Sequence, residues 1–317
     1  MVINDFYKET NLYRVMYKIT IDVFSGRPNP VIELKGKKAT EFAERLTEVR
    51  NLKHGDRHFP KFATAGYRGL IVEQTGKKIN LDLPRTFRYA NGDVLHDKGG
   101  FKTSDEKAEA FVLDQFYTKA KLRSTKRLEN EREKMLFLID AFKNDREEFV
   151  FTPWADVPYP DLPIKTDCMC GPAYEPLWWG DANWNVMELN NCYNYATNYR
   201  TETFAQPGKA HNAMYDFFDC QSLKQAAVAD KLIDFPRLDN NCPTKGHLVA
   251  LVIDPGWDYH WYRKDNTGYW SHKLGSSPAI HFDNSGNLIA DPRDANRGNY
   301  TNFCTFMVVH HGRIKVV

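Results

Sequence analysis

The C-terminal part of the chain alternates strand-forming runs with turn residues, and this pattern limits the folds that it can adopt. Four runs rich in β-branched and aromatic residues follow one another, at His247–Ile253, Asp258–Arg263, Tyr269–Lys273 and Phe303–His310. Turn residues separate the first three runs, at Asp254–Gly256 and Asp265–Gly268. Strands that are joined by short turns pair antiparallel. We therefore predict an antiparallel sheet over this region.

Two helical segments precede these strands. The first opens at Cys192 and extends to about Glu202, and the second covers roughly Gly208 to Leu232 with interruptions. A helix with an apolar face next to an antiparallel sheet buries that face against the sheet. We therefore predict an α+β domain over residues 151–317, in which a helix packs on an antiparallel sheet.

A second, smaller α+β domain is predicted over residues 1–118. Alternating apolar and polar residues predict strands, and apolar residues at helical spacing predict helices. The strands are expected near residues 17–23, 31–34, 69–74, 87–89 and 94–96, and the helices near residues 38–49 and 104–117. Phe24–Pro30 is expected to be a hairpin turn, because Gly26 and two prolines interrupt strand pairing.

A charged helix is predicted to connect the two domains. It covers residues 119–150 and has an apolar face that includes Met135 and Phe142. Residues 152–180 contain many prolines, which prevent long regular elements. The boundary between the two domains is therefore expected near residue 150.

Composition excludes several classes of partner. The chain has 317 residues, 42% of them hydrophobic, and a formal net charge of +2. This balance gives no reason to expect nucleic acid as a partner. No membrane span is expected, and the first residues lack the pattern of a cleaved signal peptide. We therefore expect a protein that is cytoplasmic or exported without a cleaved signal peptide; its oligomeric state is not predicted.

The six cysteines lie in the C-terminal half of the chain. The spacing Cys168-Met169-Cys170 is tighter than that of zinc ligands, and no second pair completes a site. A chain of this length also does not need disulfides to fold. We therefore expect free thiols or a single disulfide, and no metal or other cofactor.

Cys192 is the candidate nucleophile. It follows Asn190 and Asn191 at a predicted helix start, where unpaired backbone N–H groups favour the thiolate and lower the pKa of a thiol. Histidines follow on predicted strands, as a thiol hydrolase requires. The sequence therefore places a nucleophile before a helix and its base on the sheet.

Two short motifs carry a resemblance to known hydrolases. Asn191–Ala196 is similar to the Cys-x-x-Tyr-Ala helix start of CHAP amidases, and Gly246-His247-Leu-Val resembles the Gly-His-Val strand of NlpC-type and CHAP cell-wall hydrolases. The resemblance covers roughly residues 185–275, and the chain lacks the usual Asp-Cys-Ser-Gly start. It implies a papain-like fold and a thiol hydrolase or transferase, that is, a cysteine peptidase or amidase. The implied substrate is an amide bond of a peptide, a peptidoglycan stem or a conjugated protein.

Two assignments of the histidines are compatible with this order. In the first, His247 is the base and His260 orients it. In the second, His260 is the base and His272 orients it. Both place a histidine pair across a hairpin, where facing side chains can touch. Asp258 and Asp265 are further candidates for the orienting group.

Aromatic residues are abundant in the C-terminal domain and permit two interpretations. In one, Trp261, Tyr193 and Trp179 contact a peptide or peptidoglycan-like substrate; in the other, they fill the core. The second function class is a non-enzymatic binding or interaction protein with an aromatic recognition surface. In that class the cysteines and histidines have structural roles only.

Overall fold

The computed structural model describes residues 15–51, 66–96, 99–105, 107–120, 126–144, 165, 168–180, 185–234 and 239–317. Contacts divide the chain into two compact units. The first unit extends to Thr152, except for Phe24–Pro28 and Lys61–Gly66, which belong to the second unit together with Pro153–Val317. Within the described residues, no helix has both the length and the apolar character that crossing a membrane requires.

The first unit contains an antiparallel sheet of seven strands, in the order β2-β1-β4-β5-β6-β7-β3. The strands are β1 (Met16–Ile21), β2 (Val31–Lys35), β3 (Glu48–Asn51), β4 (Leu70–Gln74), β5 (Thr86–Ala90), β6 (Asp93–His96) and β7 (Gly99–Thr103). Its helices are α1 (Lys37–Arg45), α2 (Ala108–Ala120) and α3 (Lys126–Asn144).

The helix predicted over residues 38–49 is too long at its end. It stops at Arg45, and Val49 lies instead in β3, which pairs with β7. Val49 is 67% exposed, so its apolar side chain adds nothing to the buried face of the helix. The charged helix predicted over residues 119–150 corresponds to the end of α2 and to α3, which cluster with the first unit; residues 121–125 and 145–150 lie outside the described residues.

The second unit contains a five-stranded antiparallel sheet, in the order β11-β10-β9-β8-β12. The strands are β8 (His247–Asp254), β9 (Asp258–Lys264), β10 (Trp270–Lys273), β11 (Ala279–Ile280) and β12 (Asn302–Val309). Its helices are α4 (Pro176–Trp179), α5 (Asn185–Leu189), α6 (Cys192–Thr197) and α7 (Cys220–Ala229), with a 3-10 turn at Lys209–His211. The described residues therefore form an α+β protein with antiparallel sheets, as the sequence predicts.

Helix α6 packs on one face of this sheet. Cys192, Tyr193 and Ala196 share a buried cluster with strand residues that include Tyr259 and Trp261. The other face carries a second cluster, which includes Tyr262, Trp270 and Tyr300. The helix predicted to reach Glu202 ends at Thr197, because Asn198 takes a left-handed conformation with φ 59°.

Four of the six cysteines form disulfides, which corrects the expectation of free thiols or a single bond. Cys168 pairs with Cys242, and Cys220 pairs with Cys304. The partners are 74 and 84 residues apart, so only the folded chain brings them together. Closing loops of this length stabilises a protein by roughly 4 kcal/mol each in the chain-entropy account.

The disulfides predict a thiol count. Unfolded in denaturant without reductant, the chain should expose two reactive thiols, from Cys170 and Cys192, because the other four are bonded. A thiol titration with and without prior reduction measures this count. A value of six before reduction would contradict the pairing.

Candidate active site

Two histidines of adjacent strands form the centre of the site. His260 lies on β9 and His272 on β10, and Nε2 of His260 is 2.8 Å from Nδ1 of His272. At the far side, Nε2 of His272 is 3.0 Å from the carbonyl oxygen of Phe282. Both histidines are buried. The two histidines that the second predicted assignment pairs are therefore in contact.

Hydrogen bonding assigns the proton positions on these rings. A carbonyl oxygen only accepts, so Nε2 of His272 donates to Phe282 and its Nδ1 is an acceptor. Nε2 of His260 must then donate to that acceptor. Burial lowers the pKa of His272 to about 4, which keeps its ring neutral near pH 7. Nδ1 of neutral His260 is left without a proton, as a base requires.

Ser25 occupies the position in front of this base. Its Oγ lies 2.5 Å from Nδ1 of His260, and the Ser25 side chain is among the groups that lower the pKa of the Cys192 thiol. The ring of His260 packs with Tyr262 and Tyr300 of one cluster, whereas Cys192 belongs to the other cluster. Cys192 and the ring of His260 therefore face opposite sides of the sheet, and the Ser25 side chain interacts with both groups.

Cys192 does not have the low pKa that its position in the sequence predicts. Burial raises the pKa of the thiol to about 12, and the charge of Asp258 adds to the shift. The helix start does not offset this shift, because Oδ1 of Asn191 accepts from the backbone N–H groups of Tyr193 and Asn194. Asn191 thus occupies two of the backbone N–H groups that were expected to favour the thiolate.

His247 lies away from the pair and does not serve the first predicted assignment. It pairs with Val309 at the start of β8, whereas His260 pairs with Val252. Five residues of strand separate the two positions, roughly 16 Å. Nε2 of His247 lies 2.7 Å from the carbonyl oxygen of Ala196, and burial lowers its pKa to about 3.

The two aspartates proposed as orienting groups have other partners. Asp265 accepts from Nε of Arg263 at 2.9 Å. Asp258 binds the backbone of the Ser25 segment: its Oδ2 accepts from Ser25 N–H at 2.7 Å, and its Oδ1 accepts from the N–H groups of Gly26 and Arg27 at 3.3 and 3.2 Å. Burial raises the pKa of Asp258, and these hydrogen bonds oppose that shift.

Side-chain amides and an aromatic ring enclose Gly26. Its carbonyl oxygen accepts from Nδ2 of Asn191 and from Nε2 of Gln206, both at 2.9 Å. A Cβ atom added at Gly26 would lie 2.4 Å from the ring of Tyr259. The sequence predicts a hairpin turn for this segment but not its contacts with β9, since no local pattern links the two.

The aromatic residues predicted to bind substrate belong to the core. Trp261 and Tyr193 are fully buried, and Trp179 is 1% exposed. Oη of Tyr193 donates to Asp230 at 2.9 Å, and Trp179 packs edge to face on Tyr195. Among the described residues, no group of three or more His, Cys, Asp or Glu side chains is arranged to hold a metal ion.

The buried thiol predicts an order of alkylation. At neutral pH, iodoacetamide should label exposed Cys170 well before Cys192, because the thiolate is the reactive form and the pKa of Cys192 is about 12. Peptide mapping by mass spectrometry at successive times measures both rates in the unreduced protein. Faster labelling of Cys192 would contradict the buried site.

Comparison with known proteins gives one informative relative. No protein-family model matches the chain, and no solved structure is detectably similar to it. The chain is 42% identical over 146 residues to insoluble matrix shell protein 1 of Ruditapes philippinarum, a match that covers 44% of this chain and 92% of that protein. The chain therefore belongs to the family of insoluble matrix shell protein 1.

Proposed function

We propose that the second unit is a thiol hydrolase or transferase that acts on an amide bond, with Cys192 as nucleophile, His260 as base and His272 as the residue that positions His260. The observation that carries the proposal is the connected series from the Cys192 thiol through Ser25 to His260, His272 and the Phe282 carbonyl. The resemblance to papain-like hydrolases supports the same roles and is part of the proposal.

The reaction uses one proton that moves between sulfur, imidazole and nitrogen. Once the Ser25 side chain has moved away, Nδ1 of His260 takes the proton of the Cys192 thiol. The sulfur then attacks the amide carbonyl carbon. The C–N bond breaks as His260 passes that proton to the leaving nitrogen, which gives an amine and a thioester. Water, or an amine in a transferase, then attacks the thioester, and its proton returns through His260 to the sulfur.

His272 acts through the tautomer of His260. Its Nδ1 accepts from Nε2 of His260, so the opposite nitrogen of His260 stays free of a proton in the neutral ring. The contact with Phe282 fixes His272 in turn. A base held in the wrong tautomer cannot accept the thiol proton, so the loss of His272 should slow the reaction.

A second candidate is a non-enzymatic structural or binding role outside the cell. The relative is named as an insoluble matrix protein of a shell. Two disulfides favour an oxidising compartment, and therefore the exported alternative over the cytoplasmic one. In this role the buried histidine pair would only stabilise the sheet.

Hydrolysis of fluorogenic peptide amides distinguishes the two candidates. We expect turnover by the native chain or by the Gly26→Ala variant. In this variant the added methyl group does not fit beside Tyr259, so the segment that carries Ser25 should be displaced. In whichever form is active, Cys192→Ala should abolish turnover and His260→Ala should lower kcat by at least ~100-fold, as for loss of a general base. His272→Ala should lower kcat less.

His247→Gln is the matched control, because it changes a buried histidine of the same sheet that lies away from Ser25. It should leave kcat unchanged if the variant folds. Turnover that survives Cys192→Ala would contradict the proposed nucleophile. The absence of turnover from both the native chain and folded Gly26→Ala would favour the structural role.

A further inference from the structure

The segment Phe24–Pro28 is held in the second unit by contacts to its main chain. Asp258 accepts from three consecutive N–H groups, those of Ser25, Gly26 and Arg27. Asn191 and Gln206 donate to the carbonyl oxygen of Gly26. Main-chain groups are common to all peptides, so a separate peptide in the same conformation offers the same donors and acceptor.

We propose that Phe24–Pro28 is a built-in occupant of the site, bound as a peptide substrate would be, and that the peptides on which the site acts carry glycine at the position of Gly26. The assignment of a substrate class rests on the proposed hydrolase function. The occupancy itself rests on the contacts of the segment.

Available space makes glycine necessary at this position. A Cβ atom on Gly26 would lie 2.4 to 2.6 Å from three atoms of the Tyr259 ring, and the backbone of Gly26 is not in the left-handed region that favours glycine. The ring cannot move freely, because Tyr259 is buried and its Oη donates to Oε1 of Gln206 at 3.1 Å. Gln206 also holds the Gly26 carbonyl, so a shift of the ring would disturb both contacts.

The flanking residues add side-chain contacts. The hydroxyl of Ser25 lies against His260 and Cys192, where it separates the base from the thiol. The guanidinium of Arg27 donates to the carbonyl oxygen of Trp257 at 3.0 Å and lies over the ring of Phe218, 4.8 Å from its centroid. We therefore expect a basic residue after the glycine to strengthen binding.

The side-chain amides of Asn191 and Gln206, which donate to the Gly26 carbonyl, also indicate which bond of a substrate would be cleaved. Two N–H groups on one carbonyl oxygen stabilise negative charge on that oxygen when a nucleophile attacks its carbon. Asn191, which supplies one of them, directly precedes Cys192 in the chain. In a substrate that binds in the same way, the amide bond after glycine is the one that we expect to break.

Displacement of the segment in the full chain tests the proposal. In a Cys170→Ser background, Gly26→Ala should make alkylation of Cys192 at least ~10-fold faster, because the segment no longer covers the thiol. The matched control is Gly286→Ala, a position in the second unit with positive φ and no neighbouring atom within 4 Å of an added Cβ. It should leave the rate unchanged.

Peptides added in trans test the preference for glycine. Val-Phe-Ser-Gly-Arg-Pro-Asn-Pro, the sequence of residues 23–30, should slow the alkylation of Gly26→Ala again at millimolar concentration. The same peptide with alanine in place of glycine should not. If Gly26→Ala does not fold, Arg27→Ala removes the side-chain contacts without a steric clash and should give a smaller increase in rate.

The outcomes separate the two proposals. Unchanged alkylation in a folded Gly26→Ala protein would overturn the occupancy, and equal protection by both peptides would overturn the glycine preference. Faster alkylation with selective protection, but no cleavage of any peptide, would support a peptide-binding site that Phe24–Pro28 occupies. In that case the proposed hydrolase function would fail and the occupancy would stand.

Discussion

The arrangement of the candidate site depends on one buried carboxylate, Asp258. It lies at the start of β9, two residues before His260, and accepts hydrogen bonds from Ser25, Gly26, Arg27 and Tyr300. Burial of a charge costs free energy unless hydrogen bonds compensate it. Four donors on two oxygens supply that compensation. Asp258 thereby fixes the Ser25 segment against the strand that carries His260.

A second constraint fixes the ring of His260. The carbonyl of Phe282 accepts from His272, which determines the tautomer of His272 and through it that of His260. The two constraints meet at Ser25, whose hydroxyl donates to the unprotonated Nδ1 of His260 and whose side chain also lowers the pKa of the Cys192 thiol. Ser25 thus interacts with both side chains of the proposed catalytic pair.

Residue alternation, turn residues and strand order predicted the features that depend on neighbouring residues in the chain. Alternation and turn residues predicted most strands of both sheets, although not β3, β7 or β11. Strand order along the chain was enough to expect His260 and His272 side by side across a hairpin. The separation of His247 from His260 depends on strand register. His247, at the start of β8, pairs with Val309 of β12, whereas His260 pairs with Val252. The short turn between β8 and β9 sets this register, because Asp254 pairs with Asp258 and Val252 therefore pairs with His260.

The remaining features depend on contacts between distant parts of the chain. The bond from Ser25 to Asp258 joins residues 233 positions apart, and Phe24–Pro30 has the composition of an ordinary turn. The pKa of Cys192 follows from burial, which outweighs the effect expected at a helix start. The disulfides depend likewise on the folded chain, because Cys220 and Cys304 are 84 residues apart.

The protonation of the His260 ring tests the central claim most directly. Nitrogen NMR of the protein labelled with ¹⁵N-histidine distinguishes protonated from unprotonated ring nitrogens at neutral pH. The account predicts that Nδ1 of His260 is unprotonated and that its Nε2–H donates to Nδ1 of His272, with a coupling across that hydrogen bond. A proton on Nδ1 of neutral His260 would contradict the account, because that nitrogen could then accept a proton from neither Ser25 nor Cys192.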